Sequence, residues 1–307
     1  MDSILVATGG GCQVFSGNGS SKLELPGKIV WAIAPEPGGA CVAIVNDREI
    51  WRRSAAAEWS HVATAEIALA SIVSVNGKAF AGTMNGAEMI IAGPNNKLES
   101  LPGFQNCPGR EKWVGNGPPL HVRSLAATAS GDAILAAVHV GGIPRTTDGG
   151  KTWLPTINIM FDVHEVCSHA TTPLVAAAAA VGLCVSHDGG KKWTTIKEGL
   201  ELTNSLAVAV LENEVLFSIQ DGPFAARSQI WRWPIGASRV ELVRNGLPEY
   251  LKGKVDTGHL AAGRGRAAVV DGGGDLWLSK SGSTDWERVA TDLNDAFSVQ
   301  ILPCPFC

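Results

Sequence analysis

A chain of 307 residues is long enough for two domains, with 45% hydrophobic residues for a large core and 36 glycines and 16 prolines, which suit many short strands and turns. A net charge of −4 and a pI near 6.0 leave no basic stripe, so nucleic acid has no electrostatic footprint on this sequence. No apolar run reaches membrane-spanning length; the longest, around 174–181, is mostly alanine and breaks at Gly182.

Residues 1–27 supply three short strand candidates, 4–8, 13–16 and 23–25. The chain enters the first of them directly, without the basic segment, apolar stretch and cleavage site of an export signal. On that reading the protein is cytoplasmic, or periplasmic or extracellular if such a signal has been removed. Asn18-Gly19-Ser20 is a glycosylation sequon only on an exported chain. Seven cysteines, an odd number at uneven spacing, fit reduced thiols better than a disulfide framework.

Apolar stretches that end in a turn then recur at 30–34, 69–73, 122–126, 163–167, 204–208, 258–262 and 296–300. Each of the first six leads through a short turn, such as Asn76-Gly77 or Arg264-Gly265, into a second apolar run at 41–45, 79–83, 133–139, 174–180, 215–219 or 267–270. Ile50-Trp51, Ile230-Trp231 and Leu276-Trp277 mark third strands, where an aromatic packs on a pleated surface. Residues 296–302 provide the inner strand that 1–27 lack, which would join the first and last repeats into one sheet and leave no free edge.

The clearest repeat is Thr146-Thr147-Asp148-Gly149-Gly150-Lys151-Thr152-Trp153, which returns as Ser186-His187-Asp188-Gly189-Gly190-Lys191-Lys192-Trp193. Forty residues separate the two tryptophans. A repeat of that length, carrying a Gly-rich hairpin and short apolar runs, is how a four-stranded propeller blade reads in sequence. The octet resembles the Asp-box of BNR-repeat proteins, Ser/Thr-x-Asp-x-Gly-x-Thr-Trp, departing from it in the second copy at Lys192. Its logic is local: the carboxylate accepts backbone N–H bonds inside a tight turn, glycine permits a positive φ, and the tryptophan lids the hairpin. Asp148 and Asp188 therefore read as structural. Trp59 and Trp286 close degenerate boxes in other repeats. The resemblance and the periodicity together imply an all-β fold: one seven-bladed β-propeller over residues 1–307, of four-stranded antiparallel blades, the first closed by the C-terminal strand.

In such a ring the connections from one blade to the next, and those between second and third strands, share the rim at which inner strands begin, here called the upper rim. The long segments 104–120, 198–203, 221–229 and 245–256 all map to it. Loops on a rigid scaffold carry function, so a one-sided distribution marks that side.

Ionisable groups gather at the same rim. His121 and His164 open the fourth and fifth inner strands, His259 lies in the seventh, and His139 ends a second strand, accompanied by Arg123, Asp162, Glu165 and Asp256. Converging neutral imidazoles could hold a divalent transition metal such as Zn, Cu or Fe. The same groups could act on a substrate as acid, base or donor, with Glu165, Arg123 and Asp256 as the catalytic candidates. Aligning the inner strands puts His121 and His164 on the same side of the pleat and His259 on the other, unless a bulge at Gly258 intervenes. His61, His169 and His187 read as structural. Cys304-Pro305-Phe306-Cys307 has CxxC spacing at the terminus, without a second pair.

Asp-box families include sialidases, sortilin-like receptors, xyloglucan-degrading hydrolases and photosystem assembly factors. A sialidase is improbable, because it needs a tyrosine nucleophile and Tyr250, the only tyrosine, falls in a loop. A glycosidase needs two facing carboxylates, which Asp162, Glu165 and Asp256 could furnish. The sequence thus points to a small-molecule-binding propeller, an enzyme working at a His-rich funnel, with no nucleic-acid or membrane partner. The alternative is a non-catalytic scaffold docking a protein through upper-rim loops and exposed aromatics such as Phe104, Trp113, Phe224 and Tyr250.

Overall fold

The computed structural model describes residues 2–303 apart from 17–19, 94–95, 116–118, 223 and 282–284, so Asn18, Cys304 and Cys307 lie outside the described residues. Seven antiparallel sheets form the fold, and the inner strand of each touches that of the next all the way round. These inner strands are Ala296–Pro303 for blade one, then Val30–Pro35, Leu69–Val75, Val122–Ala127, Val163–Ser168, Val208–Val210 and Leu260–Gly263 for blades two to seven. Blade one takes its other three strands from the opposite end of the chain, Asp2–Thr8, Gly11–Ser16 and Ser21–Glu24, with Asp2 paired to Pro303. No helix among the described residues is long and apolar enough to cross a membrane.

Every second strand is almost wholly buried, because each blade is sandwiched between two others and both faces of its middle strands meet apolar neighbours. Hence the alanine run Val175–Ala179 is a central strand, its small side chains packing closely against the blade on either side. The described cysteines are free, four of the five buried.

Both octets that resemble the Asp-box form the turn expected of them. Thr146 Oγ1 donates to Asp148 Oδ1 (2.8 Å) and accepts from the Gly150 N–H (3.0 Å), and Asp148 accepts from the Thr152 N–H (3.0 Å) and hydroxyl (2.7 Å). Those Thr152 bonds hold the Asp148 carboxyl down to about 2. Gly149 and Gly150 both take a positive φ, and Trp153, 2% exposed, donates its indole N–H back to the Gly150 carbonyl (3.1 Å). In the second octet Lys192 offers only its backbone N–H to Asp188 (2.9 Å). Asp148→Ala is expected to cost about 1–2 kcal/mol, the worth of the two or three bonds it anchors. Asp188 likewise accepts three bonds, from the Ser186 hydroxyl (2.8 Å) and the Lys191 and Lys192 N–H groups (3.0 and 2.9 Å), so Asp188→Ala should cost about as much; thermal unfolding of the two variants checks this.

Two departures from the sequence reading matter for function. Residues 104–113 do not form an open rim loop: the short helical turns Pro102–Phe104 and Arg110–Lys112 pack along the seam of blades three and four. Phe104 (0% exposed) and Trp113 (6%) are core residues, with Phe104 edge-on to Trp153, so neither can be a docking aromatic. Blade six also gains a fifth strand, Leu251–Lys252, paired to the upper end of its third strand Arg227–Pro234.

The inner strands share a device that composition does not reveal. In blades two, three, four, five and one, a single residue is left unpaired near the start of the strand: Trp31, Ala70, Arg123, His164 and Phe297. Such a bulge re-aims side chains at that point. In blade seven regular pairing begins only at Leu260, so Gly258 and His259 precede the strand and no bulge corrects their side.

Candidate functional site

A cavity of about 500 Å³ runs through the centre of the ring. On the side of blades one and two its wall carries the bulged aromatics Trp31 and Phe297, ring centroids 4.6 Å apart, with the Trp31 indole N–H bonded to the Ala70 carbonyl (3.1 Å). Facing groups come from blades four, five and seven: Arg123, Glu165, Asp256, Thr257 and His259. The wall therefore sets these two groups among small and aliphatic side chains such as Ala34, Ile72 and Ala126.

The polar half is one connected network. Arg123 Nη2 donates to Asp256 Oδ1 and to Thr257 Oγ1, both at 3.3 Å, and Lys254 Nζ stands 2.6 Å from Asp256 Oδ2. The Thr257 hydroxyl donates a hydrogen bond to the His164 carbonyl (3.2 Å), and its N–H donates to Asp256 Oδ1 (2.8 Å). Across from it, the Glu165 carboxyl accepts the Val208 N–H on Oε2 (2.8 Å) and the Gly258 N–H on Oε1 (3.0 Å), which ties blade five to blades six and seven.

These environments separate the two carboxyls. Burial pushes Glu165 up to about 8, overriding the two N–H groups and Arg123, which pull the other way, with the Asp256 charge adding to the rise. Burial also raises Asp256, but Lys254, Arg123 and the Thr257 N–H outweigh it and hold that carboxyl below its ordinary value. At neutral pH the channel thus holds one proton-bearing carboxyl and one carboxylate.

The imidazoles do not gather as four. His121, His139 and His164 cluster around Asp162 at the seam of blades four and five, whereas His259 lies at the seam of blades seven and one. Asp162 Oδ1 is 3.2 Å from His164 Nε2 and 3.6 Å from His139 Nε2, yet no hydrogen bond to it is aligned. His164 Nδ1 faces the Ser205 carbonyl (2.6 Å) and His121 Nδ1 that of Pro119 (2.8 Å). Among the described residues no three His, Cys, Asp or Glu side chains stand as a metal-ligand group. The predicted metal set of His121, His139, His164 and His259 therefore does not fit as placed. None of the three clustered imidazoles lines the channel cavity; they back its wall.

Burial lowers His139 to about 4, the Asp162 carboxylate only partly opposing it, and also lowers His121 and His259. An unfolded histidine takes its proton near pH 6.5, so stability is intact above that value and lost as pH falls towards 4, by at most about 3 kcal/mol for a shift of this size. Denaturant unfolding on either side of that window should show the loss, and His139→Asn should shrink it. His169 is structural as expected: its Nδ1 accepts the N–H groups of Thr171 and Thr172 (both 3.0 Å) and its Nε2 faces the Glu212 carbonyl (3.2 Å).

Sequence reasoning placed Arg123, Glu165 and Asp256 in one site, and they meet there. It passed over Lys254, Thr257, Trp31 and Phe297. The available signal for Trp31 was positional, since it occupies the same second place in its inner strand as Arg123 and His164.

No family model matches the chain, and no curated protein matches it. Among solved structures it is similar to an ancestral GH74 enzyme, with 13% identity, a TM-score of 0.59, and 84% of this chain and 38% of that one covered. It is likewise similar to the GH74 xyloglucanase of Xanthomonas campestris, with 16% identity, a TM-score of 0.59, and 94% and 46% covered. A chain of a nidogen/laminin complex matches over 99% of both chains at 8% identity and a TM-score of 0.58. At these identities the likeness is one of fold, and the chain spans less than half the length of the two GH74 proteins.

Proposed function

We propose that the protein binds a small polar substrate at the channel mouth and acts on it by acid–base chemistry, with Glu165 as acid and Asp256 as base. The observation that carries this reading is the divergence of those two carboxyls within one cavity, since environments that push a pair apart assign the acid and the base. Arg123 positions Asp256 and offers a cation to the ligand, and the Trp31–Phe297 pair gives an apolar ring somewhere to lie. Hydrolysis of a glycosidic bond fits such a pair. The Glu165 proton goes to the leaving oxygen as the C–O bond breaks, and water, deprotonated by Asp256, forms the new C–O bond. The GH74 neighbours, one a xyloglucanase, make that the first reaction class to assay.

The test is release of reducing ends from xyloglucan oligosaccharides and aryl glycosides by wild type, Glu165→Gln and Asp256→Asn. Turnover lost in both variants supports the reading; turnover unchanged in both, or absent from wild type across the panel, overturns the hydrolytic assignment. Metal analysis of untagged protein runs alongside. Stoichiometric Zn, Cu or Fe that disappears in His121→Ala and His164→Ala would reassign the imidazole cluster to ligation. The scaffold alternative now rests on blade six, where Phe224 is 96% exposed and Tyr250 41%. A stable protein complex in pull-downs, lost in Phe224→Ala, would favour it.

A further inference from the structure

Among the described residues that line the channel cavity, Arg123 is the only lysine or arginine. It stands at the bulge of the fourth inner strand, with its side chain 17% exposed. A guanidinium has five N–H donors, and Arg123 engages the protein through Nη2 alone, on Asp256 and Thr257, which leaves the three on Nε and Nη1. Neither of those nitrogens has a hydrogen-bond partner among the described residues, and both keep accessible surface, unlike enclosed orphans of the imidazole seam such as His139 Nδ1. Open, charged donors therefore face whatever occupies the cavity.

The charge of Arg123 is not fully met. Asp256 is the carboxylate in contact with it, yet Lys254 holds that carboxylate more closely, at 2.6 Å against 3.3 Å. Glu165 bears a proton at neutral pH and both its oxygens accept backbone N–H groups, so it adds no counter-charge. Burial keeps His259 neutral, and Asp162 is turned into the imidazole seam, 3.2 Å from His164 Nε2, without lining the cavity. Two cations and one carboxylate thus meet at the mouth, and one further negative charge completes the set. Across the cavity the Trp31 indole N–H is taken by the Ala70 carbonyl, so the Trp31–Phe297 pair presents ring carbons and demands no polar group. A planar ring bearing one carboxylate answers both walls, with charge-assisted bonds at one end and aromatic contact at the other.

We propose that the channel cavity binds an aromatic carboxylate, with the anion on Arg123 Nε and Nη1 and the ring against the Trp31–Phe297 pair. The proposal rests on the channel mouth being the ligand site, as in the reading above, and narrows the class of molecule held there; it does not require turnover. Calorimetric titration of the full chain with phenylacetate and indole-3-acetate is compared with the matching amides, which keep the ring and remove the charge, and with acetate, which keeps the charge and removes the ring. At least one ring-bearing carboxylate should bind in the millimolar range or tighter, about tenfold better than its amide and than acetate. This comparison is made on the wild type and so does not depend on any variant folding. Arg123→Gln should abolish the preference for carboxylate over amide, and Phe297→Leu should weaken both. Glu165→Gln, which removes the proposed acid, should still bind, so a channel that binds carboxylates without turnover is told apart from one that turns over glycosides without binding them. Failure of both carboxylates, amides or acetate binding equally well, a carboxylate preference that survives Arg123→Gln, or binding unchanged in Phe297→Leu would overturn it.

Discussion

Glu24→Ala is expected to destabilise the ring by about 3–5 kcal/mol, the cost of leaving a buried charge without its partner. Glu24 ends the outermost strand of blade one and Arg53 the third strand of blade two, at 6% and 4% exposed. Two parallel bonds join them, at 2.7 and 3.1 Å, and the Trp59 indole N–H adds a third at 2.8 Å. Burial raises the Glu24 carboxyl, but Arg53 and Trp59 more than offset this and hold it below its ordinary value. The pair therefore contributes stability at neutral pH that is lost as pH falls through that depressed pKa. Replacing both partners, Glu24→Leu with Arg53→Met, should restore most of what the single change removes, because an apolar pair leaves no orphaned charge. Denaturant unfolding of the single and double variants distinguishes a buried ion pair from mere packing.

Glu165→Gln is expected to have the largest effect on function, a fall in turnover of roughly a hundredfold to ten-thousandfold, the usual contribution of a positioned acid. Wild-type activity should form a bell in pH, lost above about 8 as Glu165 gives up its proton and lost in acid as Asp256 takes one. The same group leaves a mark on stability. Its folded pKa of about 8 stands above the unfolded value near 4.5, so the stabilisation is complete below 4.5 and drains away as pH rises to 8. For a shift of this size the change is at most about 5 kcal/mol, and Glu165→Gln should flatten it. A variant that loses turnover but keeps the wild-type pH dependence of unfolding would place the proton elsewhere.

The frame of the molecule was legible because its signals are local or periodic. The Asp-box octets specify their own hydrogen bonds, and the lone apolar strand at 296–303 had only one sheet left to complete. Arg123, Glu165 and Asp256 were legible for a related reason: charged residues at the start of inner strands lie next to the channel, although Asp162 and His164, similarly placed, turn into the seam of blades four and five. What stayed hidden depends on backbone or distance. The five bulged residues, Trp31, Ala70, Arg123, His164 and Phe297, share no chemistry, so the bulge that aims them has no residue-type signature. The Glu24–Arg53 pair spans 29 positions and two blades. Residues 104–113 read as a loop because they are irregular, yet Phe104, Cys107 and Trp113 belong to the core. His259 counted with the other imidazoles only while its strand was thought to begin at 258, and pairing starts at Leu260.

The channel-mouth reading is tested most directly by titrating the side-chain carboxyl resonances of the folded protein, with Glu165→Gln and Asp256→Asn as assignments. Glu165 should titrate at about 8 and Asp256 below the ordinary aspartate value. Both groups titrating together at ordinary carboxylate values would leave the cavity without an acid at neutral pH and contradict the proposed chemistry.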